Sequence, residues 1–552
     1  MKKLSAKKKK WIERTVKNDR SYKAFLYNRF FAFILLVLLQ LTAYATLLIT
    51  FVYGSKWALV LQLLVGALQL VFVLRVLNKN DKPSTKLNWL LLMLIVPVFG
   101  VPMYLLNGEG RPTRRMRKRI IEAKISNEKA LEQAFGKPQA PQIVSRADAV
   151  TKFLSKHAGY PVFYEGEVEY YKSGEEMFPD MLSALKAAEK FILLEYFIIG
   201  HGRMWNEILR ILLEKANAGV KVRIIYDDFG CMVTLPPKYD RYLESLHENI
   251  KCMSFNKVAP FFSMRMNNRD HRKLLVVDGR VGFTGGVNLA DEYINEKRRF
   301  GYWKDAGIRV RGVSVRSFVQ MFFYLWNAFR TDKEDLNEYL SASAVSAKNA
   351  LDAKSAKSGK SAGCASSAQT TLLRIQPYDD SPLDSVSAGE AVYMDVIHRA
   401  ANYVYIFTPY LILDDAMRGA LCEAAARGVD VRIVTPGTPD KKTVFRLTRA
   451  NYEILMKSGI KIYEYTPGFI HSKCVVSDDE CAIVGSINFD YRSLYYHFEN
   501  AVYFSGCAAV DEVKRDCEET FAVSKLCTSE NRKRGLLGRL FDSLLRVFET
   551  LL

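Results

Sequence analysis

Two stretches of this chain repeat one pattern of residues, the first beginning at His271 and the second at His471. They read HRKLLVVDGRVGFTGGVN over residues 271–288 and HSKCVVSDDECAIVGSIN over residues 471–488, so His, Lys, Asp, Gly and Asn recur at identical spacing. Because the copies agree in residue type and in register, chance is a poor explanation. We interpret them as an internal duplication, which predicts a chain folded as two related halves.

Each copy has the local pattern of a strand, a turn and a second strand. The first strands are predicted at 274–277 and 474–477, and residues two apart in a strand share a face, so the His and Lys of each copy point the same way. The Asp follows the Lys by five residues, at opposite parity and in the turn. We therefore interpret Asp278 and Asp478 as structural members of the site.

Small residues follow the second strand of each copy. A missing or small side chain lets an anionic group approach the backbone, and the nearby Asn side chains can add hydrogen-bond donors. We predict that this part of each copy binds substrate, through Gly285, Gly286, Asn288, Gly485, Ser486 and Asn488.

Two histidines and two lysines suit the displacement of an alcohol from a phosphodiester. That reaction needs a nucleophile, a proton donor for the leaving oxygen and cations around the phosphoryl oxygens. One His-Lys pair supplies half of this set. If the two copies face each other, one imidazole can attack phosphorus while the other, protonated, releases the alcohol.

The pattern HxKxxxxD followed by GGxN or GSxN, twice in one chain, resembles the phospholipase D superfamily. The stretches QPYDDSPLD, TPGTPDKKTVFRLTR and YEYTPGFIHSK resemble the bacterial cardiolipin synthases of that superfamily, and the resemblance covers the chain from about residue 87 onward. It implies an α/β fold: two tandem phospholipase D-like domains, each a mixed sheet flanked by helices, form one pseudo-symmetric catalytic unit behind an α-helical N-terminal membrane region.

The resemblance also implies a reaction. A phosphatidyl group passes from one phosphatidylglycerol to another through a phosphohistidine, giving cardiolipin and glycerol, with His271 as the nucleophile and His471 as the acid and then the base. No cofactor and no metal are needed. The catalytic set that the motifs imply is His271, Lys273, Asp278, His471, Lys473 and Asp478.

A catalytic imidazole works best when an acceptor holds its second nitrogen. A carboxylate follows each motif at a similar distance, in Trp303-Lys-Asp305 and in His497-Phe-Glu499. We predict that Asp305 orients His271 and that Glu499 orients His471.

Four other functions fit parts of the sequence. A phospholipase D would hand the same intermediate to water, and a related phosphatidyltransferase would use a different acceptor alcohol. A phosphodiesterase of nucleic acids shares the motif and the basic charge. A membrane scaffold that binds anionic lipid without turnover would explain the charge and the apolar segments, but not two intact motifs.

The net charge of +20 is compatible with nucleic acid or with an anionic membrane surface. The apolar N-terminal segments favour the membrane, so we predict phosphatidylglycerol, cardiolipin and an anionic membrane as partners, and no nucleic acid. The nine cysteines form no CxxC pair and no zinc-spaced cluster. That usage is typical of a reducing compartment.

The N-terminal region predicts two membrane spans, at 30–53 and 57–76, after a basic stretch that stays in the cytoplasm. A third apolar segment, 87–106, is broken near its middle by Pro97, Gly100 and Pro102 and has basic residues on both sides. We predict a re-entrant hairpin there, with a plain third span as the alternative. The predicted location is the bacterial inner (cell) membrane, with several passes and with the catalytic domains in the cytoplasm.

The predicted order of domains follows from these patterns. It comprises a basic N-terminus (1–29), the membrane region (30–110), a basic connector (111–139), the first phospholipase D-like domain (140–335), a low-complexity linker (336–370), the second such domain (371–530) and an amphipathic C-terminal helix (531–552).

Overall fold

The computed structural model describes residues 42, 45, 56–80, 82–95, 100–102, 104–105, 114–136, 148–257, 268–340, 372–383 and 387–528. The chain divides into two compact units, one before residue 111 and one after it. The predicted basic N-terminus, nearly all of the first predicted span, the predicted linker from residue 341 onward and the predicted C-terminal helix lie outside the described residues.

The first unit contains helices α1 (Lys56–Leu77) and α2 (Pro83–Ile95). Phe72 on α1 and Trp89 on α2 share a small apolar cluster with Tyr104, whose ring centroid lies 5.3 Å from that of Trp89. Gly100 lies against the backbone of Met93, since a Cβ added to this glycine would lie 2.6 Å from Met93 Cα. A straight helix would separate these two residues by about 10 Å, so the chain reverses after α2.

Helix α1 coincides with the second predicted span, and α2 covers the start of the third apolar segment. Among the helices that the structure describes, none combines the length and the apolar character that crossing a membrane requires.

The second unit contains two mixed sheets flanked by helices, as the sequence predicts. Its helices are α3 (Arg114–Phe135), α4 (Asp148–Phe153), α5 (Gly174–Lys186), α6 (Arg203–Asn217), α7 (Tyr239–Glu244), α8 (Val315–Phe329), α9 (Ala388–Arg399), α10 (Asp415–Ala426), α11 (Lys442–Lys457), α12 (Tyr491–Tyr495) and α13 (Ala508–Ala522). A π-helical turn at Leu154–Ala158 follows α4, and a 3-10 turn lies at Asp291–Ile294.

The first sheet has seven strands in the order β1-β8-β6-β5-β2-β3-β4. Strands β2, β3 and β4 are parallel, and the others pair antiparallel. The strands are β1 (Glu167–Tyr171), β2 (Phe191–Tyr196), β3 (Lys221–Asp227), β4 (Ile250–Phe255), β5 (Lys273–Val277), β6 (Val281–Gly285) and β8 (Gly307–Arg311). Every residue of β2 is buried, as expected of a strand covered on both faces.

The second sheet repeats this plan, with the order β17-β12-β11-β10-β14-β15-β16-β9. Its strands are β9 (Arg374–Asp380), β10 (Tyr403–Phe407), β11 (Asp430–Pro436), β12 (Lys461–Tyr465), β14 (Cys474–Ser477), β15 (Cys481–Gly485), β16 (Glu499–Ser505) and β17 (Ser524–Leu526). The short strands β7 (Tyr302–Lys304) and β13 (Gly468–Ile470), one from each half, pair in parallel and join the halves.

Helix α8 lies in one apolar core that both halves share. It contacts β2, β5 and β6 of the first sheet and β9 of the second sheet, and nearly all of its residues are buried. Because this core is continuous across the halves, neither sheet has an apolar core that is separate from the other half.

The structure corrects one predicted boundary. The linker is predicted to start at residue 336, but the side chains of Leu336, Tyr339 and Leu340 are buried in the shared core. These apolar residues extend the packed part of the first half to residue 340, so the linker begins no earlier than residue 341.

Candidate active site

The two motif histidines lie immediately before central strands of the two sheets, where each meets the opposite half. The backbone N–H of His271, before β5, donates to the carbonyl oxygen of Phe498 at 2.9 Å. The N–H of His471, before β14, donates to the carbonyl oxygen of Lys304 at 2.7 Å. Both imidazoles are buried. The two halves therefore pack against each other here, and the backbone of each half holds the histidine of the other.

The carboxylates predicted to orient the histidines contact them, but the predicted pairing is wrong. His271 Nδ1 lies 2.9 Å and 3.0 Å from the two oxygens of Glu499, and His471 Nδ1 lies 2.7 Å from Asp305 Oδ2. Each carboxylate directly follows the residue whose carbonyl receives the histidine N–H of the opposite half. The pairing is crossed because the halves are docked face to face.

The small residues after β6 and β15 make room for these carboxylates. A Cβ on Gly286 would lie 1.9 Å from Asp305 Oδ1, so only glycine leaves space there. At the matching position Ser486 donates its hydroxyl proton to Glu499 Oε2. The anionic group nearest to each of these backbones is thus an orienting carboxylate. Close packing against backbone also explains Gly285 and Gly485, where a Cβ would lie 2.4 Å from a carbonyl oxygen.

Both motif lysines are buried beside the histidines. Each Nζ donates a short hydrogen bond to the carbonyl oxygen of its own motif's histidine. Burial lowers the pKa of Lys273 to about 7 and that of Lys473 to about 8. The positive charge of Lys473 also contributes to the lowered pKa of Lys273.

Burial favours the neutral imidazole in each pair, and the neighbouring histidine keeps the carboxylate ionised. Burial lowers the pKa of His471 to about 4, and it lowers the pKa of His271 well below its ordinary value. Burial alone would raise the pKa of Glu499 and of Asp305, but the neighbouring histidines offset this and hold both carboxyl pKa values below the ordinary range. With Nδ1–H donating to a carboxylate, Nε2 keeps its lone pair and can act as nucleophile or base.

The two motif asparagines are buried and hydrogen-bonded within their own halves. Asn288 accepts from the N–H of Ile198 at 3.0 Å and donates to the hydroxyl of Tyr293 at 2.8 Å. Asn488 donates to Ser493 Oγ at 3.0 Å. These contacts hold the loops that follow the motif strands. Substrate binding by the two amides stays a prediction.

Asp278 and Asp478 have the structural role that their parity predicts. The Asp278 carboxylate accepts three backbone N–H bonds of 2.8 Å, from Glu189, Lys190 and Phe191. Asp478 accepts the corresponding N–H bonds from residues 401–403 at 2.7 to 2.9 Å. Each aspartate therefore ties the motif turn to the start of the neighbouring strand, β2 or β10, which runs antiparallel to the motif strand.

We expect Asp278→Asn to lower the free energy of unfolding by about 2 to 4 kcal/mol, because three charge-assisted hydrogen bonds weaken and the new amide N–H groups oppose backbone donors. Thermal unfolding in detergent measures the effect. Asp415→Asn, at an exposed aspartate on α10, is the matched control. A variant that melts like the unsubstituted protein yet has lost turnover would contradict the structural role.

Sequence reasoning missed the aromatic wall around the histidines. The ring centroid of Phe197 lies 4.9 Å from that of His271, and those of Tyr293 and Trp303 each lie 5.4 Å from that of His471. A third histidine, His497, lies 5.4 Å from His271. The sequence did contain a signal for two of these rings. Trp303 and His497 are the first residues of the matched triplets that end in Asp305 and Glu499.

Within the described part of the chain, one group of side chains brings three possible metal-ligand atoms within 4.8 Å of one another: His271, His497 and Glu499. Glu499 already accepts hydrogen bonds from His271 and from Ser486. These contacts are those of an acid–base network, and we assign no metal to them.

Family comparisons match most of the second unit. A family described as "Cardiolipin synthase, PLD-like domain" matches residues 181–299 and 393–521, and "Phospholipase_D-nuclease N-terminal" matches residues 67–108. A cardiolipin synthase of Alkalihalophilus pseudofirmus is 32% identical over 93% of this chain and 99% of its own length. Cardiolipin synthase 2 of Bacillus anthracis is 31% identical over 86% of this chain and 88% of its own length.

An uncharacterized protein of Streptococcus mutans is 38% identical over 87% of this chain and 99% of its own length. Among solved structures, the phosphatidylserine synthase of Haemophilus influenzae matches with a TM-score of 0.53 at 15% identity, over 74% of this chain and all of that chain. At this identity the match supports the fold alone.

Proposed function

Because the chain belongs to the cardiolipin synthase family of the phospholipase D superfamily, we propose that it moves a phosphatidyl group from one phosphatidylglycerol to another. The products are cardiolipin and glycerol. The observation that carries the proposal is the pair of buried histidines, each with a carboxylate from the opposite half on Nδ1 and a buried lysine two residues along. Such a pair can supply a nucleophile and an acid to one phosphodiester.

In the first step Nε2 of His271 attacks phosphorus. A bond forms between nitrogen and phosphorus, and the bond from phosphorus to the glycerol oxygen breaks as His471 gives that oxygen a proton. The anionic substrate offsets the burial that disfavours a charged imidazole, so His471 can carry this proton. Glycerol leaves, and the phosphatidyl group stays on His271.

In the second step His471, now neutral, takes the proton of a glycerol hydroxyl on a second phosphatidylglycerol. The hydroxyl oxygen attacks phosphorus, the bond between phosphorus and His271 breaks, and cardiolipin forms. Each step exchanges one phosphorus bond for another, so no nucleotide is consumed. Lys273 and Lys473 neutralise the phosphoryl oxygens throughout.

The deciding experiment incubates purified protein with phosphatidylglycerol labelled in its headgroup and in its acyl chains. We expect cardiolipin and free glycerol in equal amounts. Phosphatidic acid instead would identify a hydrolase, a mixed phosphodiester formed with an added alcohol would identify a different acceptor, and unchanged lipid would favour a binding scaffold. A protein carrying His271→Ala and His471→Ala controls for a contaminating activity.

The lysine pKa values predict how ligand binding depends on pH. Because the pKa values are about 7 for Lys273 and about 8 for Lys473, both ammonium groups lose their charge as pH rises through this range. We expect the Kd of an unreactive short-chain phosphonate analogue to rise about tenfold per pH unit for each lysine that deprotonates. Lys473→Arg keeps its charge, so it should hold its affinity to higher pH. An identical pH profile for both proteins would contradict this prediction.

We propose that the protein lies in the bacterial inner membrane with several passes and its catalytic halves in the cytoplasm. Basic residues flank the third apolar segment on both sides, and positive charge is typical of cytoplasmic loops. The contact of Gly100 with Met93 supports a hairpin, because it reverses the chain within that segment.

The topology predicts the labelling of single cysteines at Lys82 and Arg114 in a cysteine-free background. A membrane-impermeant thiol reagent added to intact cells should label neither position, since both ends of the hairpin lie inside. Permeabilised cells, in which both should react, provide the control. Labelling at position 114 alone would indicate a third span and catalytic halves on the outer face.

A further inference from the structure

Each catalytic histidine is covered by an aromatic ring two residues before the carboxylate that orients it. For His471 this ring is Trp303, and for His271 it is His497. Both ring centroids lie 5.4 Å from the imidazole, with interplanar angles of 46° and 40°. The two halves therefore place an aromatic ring in the same position but differ in its chemistry.

The difference changes what each carboxylate can bind. His497 Nδ1 lies 3.4 Å from Glu499 Oε1, the oxygen that is 2.9 Å from His271 Nδ1. Two imidazole Nδ1 atoms thus lie beside one carboxylate oxygen, that of His497 in a contact that is not a hydrogen bond, and Ser486 donates to the other oxygen. Asp305 accepts from His471 and from the N–H of Ala306. An imidazole can bind a proton next to a carboxylate, whereas the indole of Trp303 cannot.

The motif lysines oppose a proton on both histidines. Lys273 lowers the pKa of His271, and Lys473 and Lys273 both lower that of His471. Charged and titratable residues on the segments packed against His497 include Glu499, His271, Lys273, Arg269, Asp270 and Arg492. Beside these groups, His497 is an imidazole where the matched position of the other half holds an indole.

We propose that His497 is a positioning residue that makes the two catalytic histidines inequivalent and gives His271 the role of nucleophile. The Nδ1 atom of His497 draws on the same Glu499 oxygen that supports a proton on His271, so the His271 Nε2 lone pair stays available. His471, beside Trp303, lacks this competitor and keeps the full support of Asp305 for its protonated form. The inference deepens the proposed function, because it assigns the order of the two histidines in that reaction.

The test locates the phosphoryl group on the enzyme. A p-nitrophenyl phosphodiester has a leaving group that needs no acid, so loading of one histidine does not require the other as a proton donor. Alkaline quenching preserves phosphohistidine, and peptide mass spectrometry identifies the modified residue. In the unsubstituted protein we expect the adduct on His271; in His497→Asn and in His497→Trp, which copies the other half, we expect it on both His271 and His471.

The acid limb of the pH dependence of kcat/KM provides a second readout that a purely structural role would not move. Without His497, Glu499 supports His271 alone, so His271 holds its proton more strongly and this limb should move to higher pH by about one unit. Trp303→Phe, which removes no ionisable group at the matched position, should leave the limb in place. Two histidine variants are used so that a folding defect in one does not decide the result.

An adduct confined to His271 in both folded variants, with an unchanged acid limb, would overturn the inference, and so would an adduct on His471 in the unsubstituted protein. The proposed function is judged separately, by cardiolipin formation from phosphatidylglycerol. A protein that makes no cardiolipin but whose adduct shifts as expected would refute the function and keep the inference.

Discussion

Replacing either catalytic histidine with alanine is expected to reduce cardiolipin formation by at least about 10³-fold, because neither imidazole can be nucleophile and acid in the same step. The structure gives each imidazole its own carboxylate and its own lysine, so the remaining imidazole keeps one role and leaves the other unfilled. Labelled phosphatidylglycerol in detergent micelles measures the rate. His398→Ala, at an exposed histidine near the end of α9, should retain full activity.

The two variants should differ in the intermediate that they accumulate. His471→Ala lacks only the acid, so a substrate with a good leaving group should still load a phosphoryl group onto His271. His271→Ala lacks the nucleophile and should load none. An adduct on His471 in the second variant would reverse the assignment of the two roles.

The second large effect on activity is expected at Glu499 and Asp305, each of which contacts the histidine of the opposite half. Glu499→Gln should slow loading of the enzyme by a p-nitrophenyl phosphodiester about 10²- to 10⁴-fold. The Glu499 anion selects the His271 tautomer whose Nδ1–H points to residue 499, and a neutral glutamine does not. Asp305→Asn should leave this loading nearly intact, since Asp305 serves the acid His471, which this leaving group does not need. With phosphatidylglycerol both variants should be slow.

This comparison distinguishes the observed pairing from pairing within one half. If Asp305 oriented the nucleophile, Asp305→Asn would block loading and Glu499→Gln would spare it. Glu453→Gln, at an exposed glutamate of α11, is the matched control for the loss of a carboxylate. Thermal unfolding of all three variants separates loss of chemistry from loss of fold.

Much of the local structure could be predicted from the sequence. Strand, turn and strand follow from the alternation of residues in each motif, and the observed strands β5 and β14 agree with the predicted ones to within one residue. The aspartates were assigned to the turn by parity alone, and the structure gives each of them three backbone N–H donors. Asp278 and Gly279 both have positive φ, of 52° and 64°, as the Asp-Gly turn predicts. These features depend on neighbouring residues only.

Longer strands were harder to delimit. The apolar runs 191–199 and 404–413 each predict one strand, but the observed strands end at Tyr196 and at Phe407. In both cases the chain bends out of the sheet, and Ile199 and Leu411 form isolated bridges to the loops after the motifs. The apolar pattern continues because these residues remain buried, so hydropathy alone does not show where sheet pairing stops.

The sequence by itself determined that the chain is duplicated, that each half carries a His, a Lys and a structural Asp in one register, and that a carboxylate follows each motif. Only the tertiary structure decided which carboxylate serves which histidine, why Gly286 and Ser486 differ, and that His497 joins the site. Residue spacing fixes which side chains share a strand face, since that geometry is local. The contacts of His271 with Glu499 and of His471 with Asp305 span 228 and 166 residues, and such contacts exist only once the shared core has docked the two halves.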